Sequence, residues 1–138
     1  MSAPAPFEAV LWKATEAFLS GPLRLGTRQW LRTPGGEAAV YLRMGMRSLD
    51  PAAPRLTPTL ELGSLSLRED LLGRGWFRRY LRALGTLPQI PDTLILESVN
   101  APRLLAHAGQ HWRPLPNTPL TFFLTREALL AYPLKEET

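Results

Sequence analysis

The chain has no cysteine and only two histidines, His107 and His111. The first lack excludes a disulfide framework, a thiolate metal site and a cysteine nucleophile. So few imidazoles argue against a zinc enzyme, and no metal site is expected. Acidic residues are outnumbered, 12 against 16 lysines and arginines, which leaves a net charge of +4. The excess is mostly arginine, whose planar fork suits phosphate, so the balance favours anionic partners. No apolar run approaches a membrane span, and the start MSAPAPFEAV lacks a basic stretch followed by an apolar one. A cytoplasmic protein with no membrane partner is expected. The 138 residues, 45% apolar and 20% charged, suit one soluble domain spanning 1–138 with a proper core.

Hydrophobic periodicity orders the chain. Phe7, Val10, Leu11, Ala14 and Phe18 repeat at helical spacing until Gly21-Pro22 stops the run. Arg28–Arg32 reads as a strand, and the turn Thr33-Pro34-Gly35-Gly36 can close a hairpin with Glu37–Leu49. In that second strand Ala39, Tyr41, Arg43, Gly45 and Arg47 share one face, opposite Val40, Leu42, Met44 and Met46. The proline-rich Asp50–Pro58 reads as a loop. Thr59–Leu67 alternates Leu60, Leu62, Ser64 and Ser66 against Thr59, Glu61, Gly63, Leu65 and Leu67. Gly63 inside it predicts a bulge or a close approach by another group. A helix after Gly75 carries Phe77, Tyr80, Leu81 and Leu84 as a core stripe, with Arg74, Arg78 and Arg82 on another face. Thr86–Asp92 is a loop. Thr93–Val99 is a nearly continuous apolar strand, as in a sheet covered on both sides. A helix over Ala101–Ala108 should end at Gly109, followed by strands His111–Leu115 and Leu120–Thr125 and a short helix Arg126–Ala131. The fold class is α+β: a layered domain with a mixed, largely antiparallel central sheet flanked by helices.

The most informative stretch is Leu60–Leu81, LELGSLSLREDLLGRGWFRRYL. It reads as a strand, a glycine turn and an arginine-rich helix. Gly73 and Gly75 straddle Arg74 where the helix begins. Such a turn can aim free backbone amides and a helix dipole at an anion, most usefully a phosphate. Read without any function, it is a glycine-bearing turn beside a solvated arginine face.

This half of the chain, about Thr59–Leu124, resembles the GCN5-related N-acetyltransferase (GNAT) family. The family places a strand, a turn of the form Gln/Arg-x-x-Gly-x-Gly/Ala, and a helix. Here the frame is Asp70-Leu71-Leu72-Gly73-Arg74-Gly75; both glycines match, and Asp70 stands where Gln or Arg is usual. The next family element is a strand ending near an Asn that opens a helix, then a tyrosine and a Gly-Phe pair. Asn100 matches the Asn, Trp112 falls at the aromatic of the pair, His111 replaces its glycine, and the tyrosine position falls on His107. A typical member also begins with a strand before its first helix, which MSAPAPF does not supply.

The resemblance implies acetyl-coenzyme A as cosubstrate and transfer of an acetyl group to an amine. It implies that the amides of Leu72, Gly73, Arg74, Gly75 and Trp76 hold the pyrophosphate, with Arg68, Arg74 and Arg78 adding charge. The pantetheine arm would pair with the preceding strand at Leu65 and Leu67. Asn100 would bond the cofactor, although capping its helix explains it equally well. Glu61 and Glu97 lie on the two strands flanking the acetyl site and are candidates to take the amine proton, burial being expected to raise their pKa. Each also reads as a plain strand glutamate facing water. His107 could give the departing thiolate a proton.

The acceptor implied is an unidentified amine on a small molecule or peptide, entering between Asp50–Pro58 and Pro114–Pro119. The oligomeric state is open, a homodimer included. Two other classes fit parts of the sequence. A binding or regulatory module that keeps the fold without turnover suits Asp70 and His107. A nucleic-acid-binding domain suits the net charge and Trp30, Trp76 and Trp112 as stacking groups. Because the tryptophans are not interleaved with arginines on one predicted strand face, core or rim packing is expected for each, and nucleic acid is the weaker expectation.

Overall fold

A computed structural model describes residues 5–21, 24–50, 52, 55–97, 102–116 and 118–132, with residues 102–105 and 107 given by their backbone. The first helix, α1 (Pro6–Ser20), starts with proline where its missing N–H costs nothing, and the Glu8 carboxylate accepts from the Ala5 amide at 3.2 Å. It buries Phe7, Leu11, Thr15, Phe18 and Leu19. The hairpin β1 (Arg28–Arg32) and β2 (Ala38–Ser48) follows, closed by Thr33, whose hydroxyl accepts from the Ala38 amide at 3.0 Å. Then come β3 (Leu56–Leu67), a single 3-10 turn over Glu69–Leu71, α2 (Trp76–Gly85), β4 (Thr93–Leu96), α3 (Pro102–His111), β5 (Arg113–Pro114), β6 (Phe122–Thr125) and α4 (Arg126–Leu130). The six strands form one sheet in the order β1-β2-β3-β4-β6-β5, parallel between β3 and β4 and antiparallel elsewhere.

One face of the sheet meets α1 and α2. Val40, Leu42, Leu60, Leu62, Leu94 and Leu96 point there and join Leu11, Leu19, Leu81 and Leu84 in the main core. A buried hydrogen bond between Thr15 Oγ1 and Tyr80 Oη, 2.9 Å long, ties the two helices together. All four residues of β4 are buried, as its unbroken apolar run requires.

Four expectations from the sequence are corrected. The β2–β3 register passes from Leu42↔Leu62 to Tyr41↔Ser64, so Gly63 is skipped as a bulge. The extra residue reverses the alternation beyond it. Leu65 and Leu67 therefore lean on the core with Leu60 and Leu62, while Ser64 and Ser66 face water. Second, β3 begins at Leu56 rather than Thr59 and runs through Pro58. Its pairing with β4 starts only at Thr59, so Pro58 sits on an open edge, where the missing N–H is tolerated. Third, α3 runs through Gly109 to His111, the Trp112 amide donating to Ala108 O at 2.8 Å, which leaves only Arg113–Pro114 to the next strand. Fourth, Phe77 is half-buried and Trp76, 4% exposed, takes the core position.

Candidate active site

The parallel pair β3–β4 is short. Thr59 to Leu62 lie opposite Thr93 to Leu96, and the Glu97 amide closes the ladder on Leu62 O at 3.1 Å. β3 then continues to Leu67 paired only with β2. From the Gly63 bulge onward, the backbone edge on its other side has no strand partner among the described residues. Among the described residues the two parallel strands thus part at Gly63, and the opening between them has peptide groups without a strand partner along one wall.

The glycine turn closes the end of that wall. Gly73 and Gly75 have φ of 77° and 80°, a left-handed conformation that a side chain would oppose. Gly75 caps α2, with its carbonyl accepting from the Arg79 amide at 3.2 Å. The amides of Gly73, Arg74, Gly75 and Trp76 have no acceptor among the described residues. The Leu72 amide is a correction: it donates to Glu69 O at 3.3 Å, closing the 3-10 turn, and is not available to a ligand. Asp70 does not face the glycine amides alone. Arg68 Nε donates to its Oδ1 at 2.7 Å, and this hydrogen bond holds the carboxyl below its ordinary range. Arg68 is itself exposed beside the turn, paired with Asp70. Arg79, not singled out from sequence, braces the turn: Nη1 donates to Arg74 O at 3.0 Å, while Nε and Nη2 grip Glu8 at 3.0 and 2.7 Å. The Trp76 ring anchors the helix start between Phe7 and Tyr80, so only its backbone faces the turn. Arg74 is exposed at the turn, and Arg78 lies close enough to act electrostatically on Tyr132.

On the sheet face opposite the main core the two acids come together. Glu61 is buried; Arg43 Nε and Nη2 donate to its Oε1 at 3.0 and 2.6 Å, Arg47 Nε to its Oε2 at 2.9 Å, and Thr59 Oγ1 to its Oε2 at 2.9 Å. Arg43 Nη2 continues to both oxygens of Glu97 at 2.8 and 2.9 Å, and Arg47 Nη2 reaches Glu97 Oε2. Two arginines and two glutamates thus form one charge-balanced cluster at the root of the opening. Glycine makes it possible: a Cβ on Gly45 would lie 2.8 Å from Glu61 Cδ. The expected upward pKa shift is reversed at Glu61. Burial alone pushes its carboxyl up, but the hydrogen bonds from Arg47, Arg43 and Thr59 outweigh it and hold the group ionised below the ordinary value.

Of the residues singled out from sequence, Glu61, Glu97, Gly73, Arg74, Gly75 and Trp76 line the opening or its end. Leu65 and Leu67 turn their side chains to the core and offer only backbone. Asn100 and the His107 side chain lie outside the described residues; the backbone places position 107 on α3. Trp112 is a core residue whose Nε1 donates to Tyr132 Oη at 2.9 Å. The loop Asp50–Pro58 is described only in part, and its last three residues belong to β3. Sequence reasoning missed Arg43 and Arg47. Their shared face was visible, but the register that sets Arg43 opposite Glu61 was not.

No protein-family model and no curated protein matches the sequence. Solved structures do match. AtaT complexed with acetyl-methionyl-tRNAfMet is 17% identical, with a TM-score of 0.53 over 85% of this chain and 84% of that one. A tyrosine-to-phenylalanine mutant of the AtaT toxin, bound to the C-terminus of the antitoxin AtaR and acetyl-CoA, is 17% identical with a TM-score of 0.51. That match covers 67% of this chain but only 61% of the toxin. The KacTA–DNA complex is 13% identical, with a TM-score of 0.50 over 85% of this chain and 82% of that one. At these identities the likeness is one of fold: a six-stranded mixed sheet with flanking helices.

Proposed function

We propose that this protein, built on a GNAT-like fold, moves an acetyl group from acetyl-CoA to an amine, and that the amine is carried by an aminoacyl-tRNA. One observation carries the reading: among the described residues, the strands β3 and β4 part beside a glycine turn whose amides at 73–76 have no acceptor. Those amides, the dipole of α2 and exposed Arg74 would hold the pyrophosphate, and the open edge of β3 over residues 63–67 would take the amide-bearing pantetheine arm. Acetyl-CoA supplies the acetyl group as an activated thioester.

The chain's own residues position the acceptor and move protons. Glu97, its side chain 22% exposed at the root of the opening, would accept a proton from the amine nitrogen. Glu61 is a positioning residue: buried and ionised, it fixes Arg43 and Arg47, which in turn hold Glu97. His107, whose backbone lies on α3, would be the donor of a proton to the departing thiolate. The choice of acceptor draws on AtaT bound to acetyl-methionyl-tRNAfMet and on the DNA-bound KacTA complex. These neighbours leave the sequence-based preference for a small amine or peptide, and against nucleic acid, without support.

Calorimetric titration with acetyl-CoA tests the cofactor claim. Wild-type protein should bind, and Gly75→Glu should lose binding, because a side chain and a negative charge enter the anion turn. No heat from the wild type at millimolar acetyl-CoA would sink the proposal. Labelled acetyl transfer to aminoacyl-tRNA, compared with a panel of small amines and peptides, tests the acceptor. Binding without transfer to any of them would replace the enzyme by a non-catalytic module of the same fold. His107→Ala should slow transfer more than it weakens acetyl-CoA binding.

A further inference from the structure

The edge strand β1 buries Leu31 alone among its five residues. Leu31 is 2% exposed and joins the core, so Arg28, Trp30 and Arg32 share the outer face. A tryptophan is thus interleaved with arginines on one strand face, contrary to the expectation from sequence. Trp76 and Trp112 take core positions, at 4% and 5% exposed, whereas Trp30 packs at the rim and is 42% exposed. The Arg32 guanidinium carbon sits 4.5 Å from the Trp30 ring centroid. Behind Trp30, directly across the β1–β2 pair, stands Tyr41, with ring centroids 5.3 Å apart and planes inclined by 47°. Arg28 and Arg32 are both exposed and have no carboxylate partner among the described residues.

This face leads into the opening. A Cβ on Gly63 would lie 2.8 Å from Tyr41 Cδ2 and 3.4 Å from Glu97 Oε1, so Tyr41 bridges Trp30 to the point where β3 and β4 part. On the same face Arg28 lies across from Arg43, which contacts Glu97.

We infer that the β1–β2 face carrying Arg28, Trp30, Arg32 and Tyr41 is a docking platform for unpaired nucleotides of an RNA, laid so that the strand's end reaches the opening. The inference rests on the proposed RNA-borne acceptor. The chemistry matches single-stranded nucleic acid: an exposed ring and a guanidinium plane on which bases stack, with exposed arginine charge for the phosphates. A protein partner fits less well, because arginines along an edge strand oppose strand-to-strand addition and Trp30 is a lone exposed aromatic rather than part of a broad apolar patch.

The test is fluorescence anisotropy of a labelled, unstructured RNA oligonucleotide, beside the same sequence as a duplex, measured without acetyl-CoA. Single strands should bind in preference to duplex. Trp30→Ala should weaken binding roughly tenfold or more, and Trp30→Phe should restore most of it. Arg28→Ala and Arg32→Ala should each lower the slope of log affinity against log salt by roughly 0.7. Unchanged affinity in Trp30→Ala, or a preference for duplex, overturns the platform. So does a Trp30-dependent self-association in sedimentation, which would assign the face to a second copy. The acetyl-CoA titration of the wild type separates the two claims: heat without RNA binding removes the platform alone, whereas absent heat removes the acyltransferase reading.

Discussion

Glu61 shows how much a single residue's charge depends on its neighbours. Its carboxylate is buried, yet it stays ionised because two arginines and a threonine hydroxyl reach it. Removing its charge leaves two guanidinium groups sharing the single carboxylate of Glu97 on a partly covered sheet face. Glu61→Gln should therefore cost about 3 kcal/mol in urea unfolding at neutral pH. The pH dependence has a definite sign. The folded carboxyl lies below the ordinary value of 4.5, so its contribution is full above that pH and is lost as pH falls through the depressed folded value. The gap between wild type and Glu61→Gln should narrow in unfolding curves taken progressively below pH 4.5. From sequence, both acids could be named because each interrupts an apolar strand. Their state could not, since burial and ion pairing act in opposite directions and only the register says which wins.

Arg126 does for an element what Glu61 does for a cluster. It opens α4, yet its guanidinium serves the exit of α2. It donates to the carbonyls of Gly85 and Leu87 at 3.4 and 2.5 Å, to Pro88 at 3.4 Å, and to Ile90. These carbonyls belong to the end of α2 and the loop toward β4, so one side chain sets how that crossover returns to the sheet. Arg126→Met keeps much of the volume and leaves the carbonyls unserved. It should lower stability by about 2 kcal/mol, read from the denaturant midpoint with an unchanged slope. Nothing in the local sequence marks this arginine, because its partners lie about a third of the chain away. By contrast, α1, β1, β2 and the start of α2 were readable from periodicity and turn residues, which are local signals. The end of α3 was not: Gly109 can end a helix, but here tertiary packing of Ala108 and Trp112 carries the helix past it.

At the scale of the whole molecule, element order was readable and element adjacency was not. The alternation of helices and strands implied one layered sheet, but only contacts between distant strands place β6 between β4 and β5. The sheet order also predicts where the fold is firmest. β3 and β4 are interior strands packed on the helical layer, whereas β1 is an edge with three of its first residues exposed. Native-state hydrogen exchange should find the slowest backbone amides at Leu60, Leu62 and Leu94 and distinctly faster exchange at the outward-facing amides of Arg28–Arg32. Equal protection at both places would contradict this ordering.

The bulge at Gly63 also bears on how this chain aligns with others. One inserted residue gives β3 two phases: Leu60 and Leu62 before it meet the core from even positions, and Leu65 and Leu67 after it do so from odd ones. An alignment against an unbroken strand must open a one-residue gap there. Otherwise every later position carries the opposite hydrophobic parity, up to the glycine turn itself.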